Sequence, residues 1–469
     1  MIGREKERQD LIRLSKSEES EFVAVYGRRR IGKTFLVKET FKNNFAYLHS
    51  GVANVDKSLQ IKNFYLSLQQ FGFKGKKPKD WFEAFDCLQQ LLNSKRQKKK
   101  IVFIDELPWL DTPKSNFVAA LEHFWNGWAG FRNDILLIVC GSATSWIVNK
   151  LFHNHGGLHN RVTFRIALQP FSLKECEQYA KSLNLCFDRQ QVLEAYMVFG
   201  GVPYYWKFLD KSLSLTQNID SIYFAQNAPL KNEFNDLYSS LFKSEAPYMN
   251  IVETLAQNKS GMQRDEIILK SNLQSNGLFT KYMTELEQSG FLRQYNQPGK
   301  KKKGAVYQLI DNFSLFYLQF IINNKAHNEQ YWQSIYGTTK YYAWAGLAFE
   351  RVCLQHIAQI KEGLKIAGVI TEVYAWQTKP TEKHDGAQID LIIDRNDRVV
   401  NICEMKYSAQ PYTLSKNDKD SLVHKCETFR QETKTTKSIH ITMITTYGVK
   451  QNSYWNYIQS QIAMNELFN

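Results

Sequence analysis

The sequence predicts a multidomain α/β protein, and three observations carry that prediction. At 469 residues the chain is longer than one hydrophobic core usually supports, which implies about three domains. In its first third, short β-branched runs alternate with helical patterns, the mark of a parallel sheet covered by helices. Toward the C-terminus, two further strand-like runs follow a long helical pattern. A hydrophobic content of 43% and an aromatic content of 14% suit packed domains rather than disorder. No apolar run approaches the ~18 residues of a membrane span, and Met1-Ile2-Gly3-Arg4-Glu5 does not read as a signal peptide. Seven cysteines without a Cys-x-x-Cys spacing suggest the reduced thiols of a cytoplasmic protein. The formal charge of +14 points toward a polyanionic partner, nucleic acid first, and the alternative is a merely basic protein.

The first expected strand, Phe22–Tyr26, ends in Gly27-Arg28-Arg29-Arg30-Ile31-Gly32-Lys33-Thr34, and Phe35-Leu36-Val37 then opens a helical pattern. A G-x-x-x-x-G-K-T run between strand and helix is a phosphate-binding loop. Its glycines let backbone N–H groups line a nest for phosphates at the helix N-terminus. Lys33 is expected to bring a point charge to those phosphates, and the Thr34 hydroxyl to ligate Mg²⁺.

Further strands are expected at Phe45–His49, Ile101–Asp105, Ile135–Cys140 and Val162–Leu168, with helices at Ile61–Phe71, Trp81–Leu92 and Phe117–Trp128. Ile101-Val102-Phe103-Ile104 reads as a buried central strand that delivers Asp105 and Glu106 at its C-terminal end, where open α/β sheets bind ligands. Asp105 is expected to hold Mg²⁺, directly or through water, and Glu106 to polarise the attacking water, which predicts hydrolysis rather than binding alone. Ser142 follows the next strand and is either a sensor of the γ-phosphate or a turn serine. Arg161, and behind it Arg165, can reach phosphates in cis, or in trans within a homo-oligomer. His153, His155 and His159 lack a completing carboxylate or cysteine and read as loop histidines.

Gly27–Thr34, Ile104-Asp105-Glu106 and Gly141-Ser142 together resemble the archaeal-type ATPases of the STAND branch of AAA-like P-loop proteins. Ile2-Gly3-Arg4-Glu5 with Glu7 resembles the short N-terminal motif that in that family lies near adenine. Gly200-Gly201-Val202-Pro203 resembles its Gly-Gly-x-Pro element, which packs on the base. The resemblance covers residues 1 to about 210. It implies ATP with Mg²⁺, a P-loop NTPase parallel sheet over 1–165 and a helical lid over 166–225.

In 226–311, Asn250–Ala256, Gln263–Leu269 and Asn276–Gln288 read as helices, and Phe291–Tyr295 and Ala305–Ile310 as strands. Three helices followed by a hairpin describe a winged helix. Its wing carries Lys300, Lys301, Lys302 and Lys303, four ammoniums suited to DNA phosphates or to solvent alone. A linker helix is expected over 312–340.

In 341–469, Gln388–Asp394, a turn at Arg395–Arg398 and Val399–Lys406 read as a hairpin. Alternation places Glu404 and Lys406 on one face, with Asp390 roughly opposite on the neighbouring strand. Trp344–Ile360 reads as one helix whose stripe Leu347, Glu350, Leu354 and Ile357 turns a carboxylate inward. Asp390, Glu404 and Lys406 after a Glu-bearing helix resemble the PD-(D/E)XK nuclease fold, a restriction-endonuclease-like α/β domain. Ile389 stands where many members carry proline. The resemblance implies that Asp390 and Glu404 hold Mg²⁺ or Mn²⁺ and that Lys406 handles the nucleophile, with Glu350 assisting. Lys361, Lys416, Lys419 and Lys425 either form a phosphate track with Lys406 or decorate helices.

The function expected from the whole is an ATP-driven switch coupled to a metal-dependent, nucleic-acid-cleaving domain. Two alternatives stand beside it. One is a switch whose last domain binds nucleic acid or protein without cutting, and the other is an ATP-driven DNA remodeller.

Overall fold

A computed structural model of the chain describes all residues except 43, 153–159, 243, 259–260, 296–304, 325–327, 379 and 381–384. The polypeptide divides into two compact units, one of Met1–Pro170 with Leu241–Lys243 and Thr284–Gly290, the other of Phe171–Ser240, Ser244–Met283 and Phe291–Asn469. Among the described residues, no helix is long and apolar enough to cross a membrane.

The first unit runs α1 (Glu5–Ser15), β1 (Glu21–Tyr26), α2 (Lys33–Phe41), β2 (Tyr47–Ser50), α3 (Lys57–Gln70), α4 (Trp81–Ser94), β3 (Lys100–Asp105), α5 (Phe117–Gly127), β4 (Ile135–Gly141), α6 (Thr144–Ile147) and β5 (Phe164–Ala167). The five strands form a parallel sheet in the order β2-β3-β4-β1-β5, the sheet of a P-loop ATPase fold. Every residue of β3 and β4 is buried, as strands covered on both faces should be. The helices seal one face with fully buried aromatics, Phe64, Trp81, Phe85, Phe117 and Phe124 among them. Because β4 lies between β1 and β3, the loop after β1 and the acids after β3 flank one β4 end.

The second unit begins with α7 (Leu173–Ser182), α8 (Arg189–Phe199), α9 (Pro203–Trp206), α10 (Leu215–Ile219) and α11 (Glu233–Leu241). Capping boxes start α7 at Ser172 and α8 at Asp188. Next come α12 (Ala246–Ala256), β6 (Met262–Gln263), α13 (Arg264–Ser271), α14 (Gly277–Gln288), β7 (Leu292–Tyr295) and β8 (Val306–Leu309); the boundary between units falls within α14. β6, β8 and β7 make a small antiparallel sheet, and β6 is a strand the periodicity does not announce. Its hairpin tip, with Lys300 to Lys303, lies outside the described residues.

The remainder runs α15 (Asn312–Phe316), α16 (Tyr331–Ile335), α17 (Thr339–Gln355), α18 (Ile357–Gly363), β9 (Thr371–Thr378), β10 (Ala387–Arg395), β11 (Val399–Lys406), α19 (Lys416–Thr433), β12 (Ser438–Thr445) and β13 (Ser460–Ala463). The five strands form a mixed sheet ordered β13-β12-β11-β10-β9, antiparallel from β9 to β11 and parallel from β11 to β13. Against it pack α17, on β11, and α19, on β10.

The single helix expected over Trp344–Ile360 is instead two, α17 and α18, broken at His356. The buried imidazole explains the break. Its Nδ1 lies 2.8 Å from Val352 O, and its Nε2 accepts from Leu173 N–H at 3.1 Å. The ring thereby satisfies a donor on α7 that an uninterrupted helix would leave unpaired. Ile357 therefore belongs to α18 and not to the Glu350 stripe.

Candidate functional sites

In the first unit the loop after β1 is shaped by its glycines. Gly27 has φ +136°, and a Cβ there would stand 2.3 Å from the Leu168 carbonyl oxygen, so no other residue fits. Gly32, at φ +91°, turns the chain into α2, whose first residue is Lys33. Arg30 holds a left-handed φ of +69° without being glycine, strain of the kind concentrated at functional sites.

The Lys33 ammonium is buried and folds back on the loop, donating to Gly27 O at 2.9 Å and Arg28 O at 2.7 Å. Burial pushes its pKa down, while Cys140, Glu106 and Asp105 oppose the shift. Arg28 is buried beside it. Arg4 ties the N-terminal segment to the loop, donating from Nη2 to Gln169 O at 2.6 Å and Ile31 O at 3.4 Å. Gly3 and Arg4 both take left-handed backbone at the start of α1.

Thr34 Oγ1 donates to Asp105 Oδ2 at 2.7 Å, so two hard oxygen ligands from α2 and β3 stand side by side. That donor set fits Mg²⁺. Asp105 Oδ1 also accepts the Glu106 N–H at 3.0 Å. Glu106 has φ +47° and accepts from Ser142 Oγ at 3.1 Å. Thus Ser142 reaches the carboxylate expected to orient water. Arg161 is exposed and makes no hydrogen bond or ion pair among the described residues, whereas Arg165 stacks on Phe152 at 4.1 Å. His153, His155 and His159 lie outside the described residues.

In the second unit, Pro203 opens α9, and the preceding turn is fixed by Phe171 N–H donating to Gly201 O at 2.7 Å. Farther along, β10 and β11 pair Leu391 with Cys403, the pair that adjoins Asp390 and Glu404. The expected hairpin is present, and these pairs supply a register that alternation leaves open. Lys406 Nζ lies 2.9 Å from Glu404 Oε1, and Lys425 Nζ of α19 donates to Glu404 Oε2 at 2.7 Å. Burial raises the Glu404 pKa, but Lys425 and Lys406 outweigh it and hold the carboxyl below its usual range. Glu350 behaves oppositely. Burial first, then the charges of Asp390 and Glu404, push it up to about 7.

Two of these acids, Glu350 and Asp390, border a cavity of about 440 Å³. Glu350 of α17, Asp390 of β10 and Lys425 of α19 line it, together with Arg351, Arg293 and Tyr295. Among the described residues, no three His, Cys, Asp or Glu side chains converge as a ready metal cluster. The carboxylates are hard-oxygen donors that suit Mg²⁺ or Mn²⁺, with Glu404 held by ammoniums instead. Sequence reasoning missed Arg293, Tyr295 and Arg351. Their only local signals are an Arg-x-Tyr alternation on β7 and a cation inside an apolar helix.

Residues 1–209 match the family model of an ATPase domain found predominantly in Archaea. An uncharacterized protein of Methanocaldococcus jannaschii is 24% identical over 420 residues, 87% of each chain. A Walker-type ATPase of Pyrococcus abyssi is similar at 16% identity and a TM-score of 0.49, covering 68% of this chain and 96% of that one. The ORC2 protein of Aeropyrum pernix is similar at 15% identity and a TM-score of 0.44, covering 70% and 96%. With its phosphate-binding loop, its Thr34–Asp105 pair and a match over residues 1–209 to the model of an ATPase domain, the chain is a P-loop NTP hydrolase, an ATPase.

Proposed function

We propose that the chain is an ATP-hydrolysing switch coupled to a metal-dependent domain that hydrolyses nucleic-acid phosphodiesters, in DNA processing or defence. The observation that carries this reading is that Glu350, Asp390 and Lys425 line one cavity while Lys425 and Lys406 hold Glu404, with opposite pKa shifts on the two glutamates. The reading divides the chain into the ATPase domain at 1–165, a lid at 166–225, a winged helix at 226–311, a linker at 312–340 and a PD-(D/E)XK-like domain at 341–469.

At the first site, Gly27 to Thr34 would cradle the phosphates, with Arg28, Arg29, Arg30 and Ile31 supplying loop backbone and charge. Thr34 and Asp105 would hold Mg²⁺, which neutralises charge on the phosphates when bound. Glu106 orients the attacking water, and Ser142 fixes the carboxylate that does so. Gly3, Arg4 and Pro203 serve the base, and Arg161 serves the phosphates of its own or a neighbouring copy.

At the second site, Asp390 and Glu404 would hold Mg²⁺ or Mn²⁺, which lowers the pKa of bound water. Lys406, released from Glu404, would donate from its ammonium to the nucleophilic water and hold that oxygen in line with the phosphorus, the water's proton passing to solvent. The new P–O bond forms as the ester P–O bond breaks, and the leaving oxygen takes up a proton. Glu350, kept partly protonated near neutrality by its surroundings, is placed to give or relay that proton.

Coupling has a short covalent and hydrogen-bonded route within the second unit. Buried Glu194 of α8, six residues before Gly200, accepts from Tyr407 at 2.8 Å and Tyr336 at 3.1 Å, and Tyr407 follows Lys406 directly. A shift of α8 with nucleotide state would therefore pull on the strand that carries Glu404 and Lys406. The test is cleavage of plasmid and single-stranded DNA with Mg²⁺ or Mn²⁺ by wild type and Asp390→Ala. Cutting that disappears in Asp390→Ala is expected. The absence of any divalent-dependent cutting would leave a domain that only binds.

A further inference from the structure

The cavity beside Glu350 and Asp390 is walled by more than the mixed sheet and its helices. Arg293 and Tyr295 alternate on β7, so both side chains leave the same face of the small sheet, and both line this cavity. Tyr295 and Asp390 also share a smaller neighbouring cavity with Trp376 and Gln388. The strand hairpin of the winged helix thus completes the site on which the acids open.

Two guanidiniums in that wall have unused donors. Arg351 makes no hydrogen bond among the described residues, and its Nε is buried without a partner. Arg293 Nε is likewise buried and unpartnered, while its Nη2 donates to Gln308 Oε1 at 3.3 Å. Burial lowers the pKa of both, that of Arg351 to about 10, so each cation is partly stripped of water. A desolvated guanidinium fork with free N–H groups is suited to a phosphate, which it can grip with two parallel hydrogen bonds. Tyr295 adds an aromatic ring, with the Arg293 guanidinium 5.5 Å from its centroid, and such rings are the usual seat of an unstacked base.

The size of the cavity narrows the ligand. About 440 Å³ lies in the range that encloses a small molecule. It holds one nucleotide but not a base pair in its stack, because duplex bases are read from open grooves about 12 Å wide. Resting on the cleavage reading above, we infer that this cavity takes one unpaired nucleotide of a nucleic-acid strand. Arg351 and Arg293 grip a phosphate, Tyr295 stacks the base, and the adjacent phosphodiester faces Asp390 and Glu350. The substrate class is accordingly a single strand or a frayed end rather than a closed duplex, and the β7–β8 hairpin is part of the specificity machinery.

The test is fluorescence anisotropy of the full chain with Ca²⁺, using a labelled oligothymidylate of about 15 nucleotides and a blunt duplex of equal length. The oligothymidylate is expected to bind at least about tenfold more tightly. Tyr295→Ala and Arg293→Gln should each erase most of that preference at unchanged melting temperature, and Tyr295→Phe should keep it. Equal affinity for strand and duplex, or a preference untouched in both variants, would overturn the inference while leaving metal-dependent cleavage standing. Displacement by free thymidine monophosphate as effective as by the strand would overturn the strand assignment. An intact strand preference with no divalent-dependent cutting would instead sink the cleavage reading alone.

Discussion

The two sites both gather carboxylates beside cationic side chains, yet they are built in opposite ways. Around Gly27–Thr34 the backbone does most of the binding, and Asp105 is partnered by a neutral hydroxyl, Thr34, at 2.7 Å. Around Asp390 the groups come from α17, β10, β11 and α19, and Glu404 is partnered by two ammoniums at 2.9 and 2.7 Å. The first carboxylate is ready for a divalent ion with little rearrangement. In the proposed reading the second would have to exchange lysine for metal, which would tie its state to whatever moves Lys406 or Lys425. A site made of backbone is robust and always poised, while one made of distant side chains is open to control.

The largest effect that sharpens this contrast is expected from Lys33→Ala. It should cut ATP turnover by about 10²–10³-fold, measured as phosphate release, because among the described residues no other ammonium donates to the loop carbonyls Gly27 and Arg28. Glu106→Gln comes next. It keeps the Ser142 contact and the strained backbone but removes the charge, so nucleotide binding by equilibrium titration should persist while turnover falls about 10²-fold.

A third prediction concerns pH at the second site. A carboxyl raised from 4.5 to about 7 favours its protonated form in the fold, so its stabilising contribution is full below 4.5 and lost as pH rises through 7. Metal-free wild type should therefore lose thermal stability relative to Glu350→Gln between about pH 5 and pH 8. Mn²⁺ affinity, read by calorimetry, should move the other way and tighten above about pH 7. The smallest effect is Tyr407→Phe. Removing one hydrogen bond to Glu194 should cost about 1 kcal/mol in denaturant unfolding, with Tyr336 still in contact.

The same contrast explains what could be read in the sequence. Gly27–Thr34 and Asp105-Glu106 are contiguous runs at strand ends, so the order of residues alone states the geometry, whereas alternation gave the shared face of Glu404 and Lys406 but not the β10–β11 register. Lys425 was nameable as a cation on a helix, but not as the partner of Glu404, because that depends on how α19 lies over the sheet. Arg293 and Tyr295 reach the acid cavity from a segment a hundred residues upstream, a juxtaposition no periodicity records. The α17–α18 break at His356 was hidden for a similar reason, since its cause is an N–H on α7.

In the proposed switch, nucleotide at the first site governs chemistry at the second. Its most direct test is the rate of Mn²⁺-dependent strand cleavage with ATP, with ADP and without nucleotide, in wild type and Lys33→Ala. The account predicts at least an about fivefold spread between nucleotide states in wild type and none in Lys33→Ala. Equal rates in all three states of the wild type would contradict it.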